Sequence, residues 1–110
     1  MSELVVALTT LPADFDAKSL AQDLVVSGLA ACVNVLPTMT SVYIWEGAPH
    51  VDLEQQLIMK TTTDAIDALW EVLRRRHPYD TPEFLVIPVV DGSDDYLAWV
   101  ETAVGPRKES

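Results

Sequence analysis

The stretch ACVNVLPTMTSVYIWEGAPHVDLEQQLIMKT, Ala31–Thr61, decides the fold. Its residues alternate in character at a period of two, which sends successive side chains to opposite faces of a β-strand. Val33 and Val35 alternate with Cys32 and Asn34, and Val42 and Ile44 alternate with Tyr43 and Trp45. Pro37 interrupts this run. Proline cannot donate a ladder hydrogen bond, so a bulge or a bend at the sheet edge is expected there. Glu46–His50, EGAPH, reads as a hairpin loop, and Val51–Thr61 as the returning strand. Leu53, Leu57 and Met59 share one face of that strand; Asp52, Glu54 and Lys60 share the other. Both arms are about twice the usual length of five or six residues. Such strands overhang a small sheet and leave backbone groups uncovered, and pairing with another copy of the chain would cover them.

Working outward, Leu4–Leu8 is a short apolar run bounded by TTLPAD, which predicts a buried strand and then a turn. Phe15, Ala17, Leu20, Ala21 and Leu24 fall near helical spacing, with Asp14 or Asp16 as N-cap and Gly28 marking the far end. Beyond the hairpin, Asp64 is placed to cap a second helix that turns Ile66, Leu69, Trp70 and Leu73 inward. Arg74, Arg75 and Arg76 occupy its last turn, where positive charge complements the helix dipole. Phe84–Val90 predicts a last strand, and DGSDD caps a C-terminal helix bearing Tyr96, Leu97, Trp99 and Val100. The order is strand, helix, hairpin, helix, strand and extra helix. It predicts an α+β, ferredoxin-like split βαβ sandwich. One domain over 1–110 is expected, with 105–110 a frayed tail.

Between the second helix and the last strand lies RRRHPYDTPEFLVIP, Arg74–Pro88. Pro78 disfavours helical geometry at His77, and Pro82 stiffens the exit. His77, Tyr79 and Glu83 therefore project from a braced corner, either to turn the chain or to hold side chains for chemistry.

Composition removes several functions. Apolar residues make up 49% of 110 residues, enough for a packed interior. No run approaches the roughly 20 apolar residues of a membrane-spanning helix. MSELVVALTT lacks the pattern of a signal peptide, so a cytoplasmic location is expected, with no membrane partner. The net charge of -10 repels nucleic acid, excluding it as a partner, and keeps the protein dissolved. Cys32 is the only cysteine, so an intramolecular disulfide or thiolate zinc knuckle is impossible, and it reads as a small buried hydrophobe. The turn after the first strand carries neither the Cys-x-x-Cys of a metallochaperone nor an Arg-bearing phosphate loop.

Ala31-Cys32-Val33-Asn34, Ser41–Gly47, Glu54 with Lys60-Thr61, His77-Pro78-Tyr79 with Thr81-Pro82-Glu83, and Tyr96-Leu97-x-Trp99 together resemble the CutA divalent-cation-tolerance family. The likeness runs in order from Leu4 to about Val104. It implies a tight homotrimer similar to PII signalling proteins, in which long hairpin strands extend across protomers. It also implies tolerance of copper and other divalent cations, and no enzymatic activity. The family's metal site is associated with a cysteine near the end of the first strand, a histidine just before His-Pro-Tyr, and the glutamate of Thr-Pro-Glu. Thr9 or Thr10 stands at the first position and Arg76 at the second; only Glu83 carries over. Threonine is a poor ligand and arginine cannot ligate.

The metal candidates are therefore Glu83 and His77, toward a divalent ion such as copper or zinc, with no cofactor required. His77 can present an imidazole to a metal or close the helix by hydrogen bonding, and as a lone histidine it favours the second. Glu83 needs solvent, a partner such as Lys60 or Tyr79, or coordination. Lys60 needs Glu83 or Glu54 in turn. Tyr43, Trp45, Tyr79 and Trp99 read first as core or interface anchors, and His50 as an exposed loop residue. A cleft between protomers lined by Lys60, Tyr43, Trp45, Glu54, Tyr79, Trp99 and Cys32 is the expected pocket. Three readings follow: a homotrimeric cation-tolerance protein, a PII-like signalling or scaffold trimer binding a small molecule or protein, and an acid–base enzyme using His77 and Glu83. The last lacks a nucleophile or oxyanion device.

Overall fold

The computed structural model describes residues 3–105. The elements are β1 Leu4–Pro12, α1 Ala17–Val26, β2 Cys32–Val35, β3 Met39–Trp45, β4 Ala48–Thr62, α2 Ile66–Arg76, β5 Leu85–Pro88 and α3 Asp94–Ala103. The antiparallel sheet runs β2-β4-β1-β5, and β3 also pairs with β4. With β2 and β3 taken as one broken strand, this is the expected ferredoxin-like α+β sandwich.

α1 and α2 lie on the face of the sheet whose side chains are buried, while Val6, Leu8 and Ile58 on the opposite face stay partly exposed. Val5, Ala7, Thr9 and Leu11 of β1 are buried in strict alternation, and Leu57 and Met59 of β4 join them. Leu20 and Leu24 of α1 and Leu69 and Leu73 of α2 close over that surface. Each leucine so buried contributes about 1.5–3 kcal/mol. Asp16 caps α1 by accepting from the Ser19 N–H at 3.1 Å. At the other end Gly28, at φ +77°, makes a Schellman turn: Leu29 N–H donates to Leu24 at 2.9 Å and Gly28 N–H to Val25 at 3.0 Å.

The break at Pro37 has a consequence for every side chain beyond it. Val35 pairs with Leu57 but Met39 pairs with Glu54, so three residues of one strand span two of the other. That single-residue bulge inverts side-chain parity. Val33 and Val35 stay on the helix-covered face, whereas Tyr43 and Trp45 cross to the open face with Asp52 and Glu54. Val42, Ile44, Val51 and Leu53 take the helix side, but beyond the reach of the helices. Val42 is 70% exposed and Val51 67%.

Several expected boundaries shift. β1 continues through TTLP to Pro12 because β4 pairs with it from Leu4↔Thr62 to Pro12↔Glu54. The hairpin loop is two residues, not five. Glu46 at φ 51° and Gly47 at φ 80° form a type I′ turn, and β4 begins at Ala48. Pro49 fits the strand because the Trp45↔Ala48 pair closes the turn. The next pair, Ile44↔Pro49, then requires no donor. His50 is accordingly in a strand, stacked on Tyr43 with ring centres 5.5 Å apart. Asp64 does not cap α2; it lies in a 3-10 turn, and the N-cap is Ala65 without a side-chain bond. Ser93 takes the N-cap position of α3 without a side-chain bond. The last strand is shorter than Phe84–Val90, and it is an exposed edge of this chain rather than a buried strand. Of the predicted tail, Gly105 is tied to Gly28, its N–H donating to the carbonyl at 2.8 Å; residues 106–110 lie outside the described residues.

Candidate functional site

The braced corner lies across the ends of β1 and β4. α2 ends as His77 N–H donates to Leu73 O at 2.8 Å, and Pro78 sends the chain over Thr10. The side chain of His77, 8% exposed, makes two further bonds. The Tyr79 backbone N–H can only donate, so Nδ1, at 3.1 Å, is its acceptor. The Thr10 carbonyl can only accept, so Nε2, at 2.8 Å, carries the proton. These two partners select a neutral imidazole of one tautomer. Burial pushes its pKa below the usual value, against the opposing pull of the Thr10 carbonyl and the Glu54 charge.

Tyr79 continues the corner. Its hydroxyl donates to Glu54 Oε2 at 2.6 Å, holding a carboxylate that is only 7% exposed. Burial first, and then this bond and the Glu54 charge, raise the phenol pKa well above its ordinary range. Glu83 is fixed from β1 and β4. Its carbonyl accepts from Thr9 Oγ1 at 2.7 Å, and its Oε1 from Thr10 Oγ1 at 2.7 Å and Gln56 Nε2 at 3.4 Å. On the arm, the Tyr43 hydroxyl donates to Asp52, and that bond is the largest cause of the raised Tyr43 pKa.

Arm and corner enclose a cleft of about 650 Å³, lined among others by Thr10, Tyr43, Trp45, Glu54, Tyr79 and Glu83. Five of the expected pocket and metal residues thus meet in one chain. The others do not. Lys60 sits opposite Val6 and Cys32, about 20 Å along β4 from Glu54 at the usual strand rise. Lys60 therefore pairs with neither Glu83 nor Glu54, and Glu83 bonds to Thr10 and Gln56 instead of Lys60 or Tyr79. Cys32 stays with Lys60, its Sγ 3.9 Å from Asn34 Oδ1. Trp99 stands on α3 beside Tyr96. Thr10 was named from the sequence only beside Thr9 at the family's thiol position, and Gln56 was not singled out, although a glutamine pair inside an apolar strand was a signal that polar partners lie opposite.

Residues 5–103 match the family described as CutA1 divalent ion tolerance protein. The chain belongs to the CutA1 family. Its relative from Citrobacter koseri, named divalent-cation tolerance protein CutA, is 45% identical over 102 residues, 93% of this chain and 89% of that one. The solved divalent cation tolerance protein Cut A1 of Thermus thermophilus superposes with a TM-score of 0.88 at 40% identity, covering 93% of this chain and 99% of its own. CutA1 from Oryza sativa gives 0.88 at 38% identity, covering 94% of each chain.

The positions that the CutA resemblance associates with metal have other occupations here. Thr9 and Thr10 hydrogen-bond to Glu83. Arg76 reaches Asp23 Oδ2 of α1 at 2.5 Å. Both nitrogens of His77 are bonded within the chain. Among the described residues no three His, Cys, Asp or Glu side chains converge to hold an ion. The residues of a single chain do not fit a soft copper centre, which needs several converging nitrogen or sulfur ligands.

Proposed function

We propose that this chain is a homotrimeric divalent-cation tolerance protein of the cytoplasm, without catalytic activity. The observation that carries the reading is the CutA1 match across residues 5–103. The arm supports the assembly. A two-stranded ribbon is marginal alone, and Val42, Ile44, Val51 and Leu53 form a continuous exposed apolar row on one side of it. β5 adds an exposed apolar edge in Leu85, Val86 and Ile87. Companion chains covering both surfaces would bury them. No helix among the described residues is long and apolar enough to cross a membrane.

Cation contact in this reading falls to carboxylate oxygen. Glu83 Oε2 accepts no hydrogen bond among the described residues, whereas His77 holds the corner in shape. Oxygen donors of that kind suit hard divalent ions more than copper. Calorimetric titration with magnesium, zinc and copper tests it, on the native protein and on Glu83→Ala. Weak, salt-sensitive uptake that falls in the variant is expected. Tight, stoichiometric copper binding that survives Glu83→Ala would refute this account of the ligand.

A further inference from the structure

The lining of the cleft has a chemistry that a bare metal ion does not use. Tyr43, Trp45 and Tyr79 supply three aromatic rings, and Glu54, Asp80 and Glu83 three carboxylates. No lysine, arginine or histidine lines it among the described residues. Glu54 is nine-tenths buried, yet its second oxygen, Oε1, accepts no hydrogen bond among the described residues and is not sealed from solvent. A buried anion with an open coordination site facing a cavity calls for a cation.

We propose that this cleft binds an organic ammonium ion, of the quaternary or alkylated kind. A hard divalent ion needs about six converging oxygens, and ring walls give it nothing. An organic cation sheds its weak hydration readily, and its positive charge is attracted to the faces of tyrosine and tryptophan. The volume of about 650 Å³ leaves room for a choline-sized ion together with water. The bulge at Pro37 puts Tyr43 and Trp45 on the opposite side of the ribbon from its apolar row. The cleft shares Glu83 with the proposed cation contact, and comparing choline with its isostere in the absence of added metal separates the two readings.

Choline and its uncharged carbon isostere, in which carbon replaces the quaternary nitrogen, are the probes. Titration of the native protein with each, at one ionic strength, should give saturable choline binding and isostere binding weaker by about tenfold, a change of about 1.4 kcal/mol. Glu54→Gln should weaken choline by a similar factor while leaving the native mass unchanged. Should Glu54→Gln fail to fold, Glu83→Gln takes its place with the same expected loss, and the isostere comparison needs no variant. Equal affinity for the two probes would reduce the cleft to an apolar groove and overturn the proposal. So would no saturation with choline, as when a neighbouring chain fills the cleft, or undiminished binding in a folded Glu54→Gln protein.

Discussion

His77→Ala removes the pivot of the corner. Two hydrogen bonds are lost, and the Tyr79 N–H and Thr10 carbonyl are left without their partner. The ring's burial is lost as well. The corner is near the surface, so water reaches part of the gap, and the cost falls at about 2–4 kcal/mol rather than the full penalty for sealed groups. The loss should depend on pH in a defined direction. Protonation would make Nδ1 a donor facing another donor, so the folded state keeps its imidazole neutral with a pKa below 6.5. His77 therefore stabilises the fold fully above pH 6.5, and this contribution drains away as pH falls from there toward the lower folded value. Urea unfolding of both proteins at pH 7.5 and pH 5, at one protomer concentration, reads the effect. The gap between them should narrow at the lower pH. A gap below about 0.5 kcal/mol, or one that widens on acidification, would refute the assigned tautomer and the corner's role.

Three further outcomes follow from other contacts. Tyr79→Phe breaks the bond to Glu54 and should cost about 1.5 kcal/mol by chemical denaturation. The wild type should lose stability as pH rises above 10, because the folded phenol resists ionisation, and Tyr79→Phe should lack that component. Gly28→Ala would put a methyl 1.8 Å from the Gly105 carbonyl oxygen at a positive φ, so a loss above about 1 kcal/mol is expected, with faster amide exchange at Gly105. Val51→Asp places charge in the apolar row of the arm and should reduce the native mass to that of smaller species; an unchanged mass would show that the row is not an assembly surface.

Much of the architecture was legible because local signals agreed with the fold. Asp16 and Gly28 bracket α1, and the two-residue period of Ala31–Thr61 reports the paired strands. The failures have physical causes. Thr9 and Thr10 read as turn residues, but they belong to a strand whose hydroxyls hold Glu83. Pro49 suggested a longer loop because only pairing register reveals that its nitrogen faces away from β3. Leu85–Ile87 looked buried because apolar character does not say which chain provides the cover. At the site, the grouping of Tyr43, Trp45, Glu54 and Tyr79 was expected, but between protomers and together with Lys60, Trp99 and Cys32. A one-residue bulge at Pro37 decided which face Tyr43 and Trp45 share, and the length of β4 separated Lys60 from Glu83.

The central claim is that the arm is completed by companion chains. Light scattering of the unmodified protein, diluted to micromolar concentration, tests it most directly. A particle of three times the 12.1 kDa of one chain is the predicted result. A folded single chain with native circular dichroism at that dilution would contradict it.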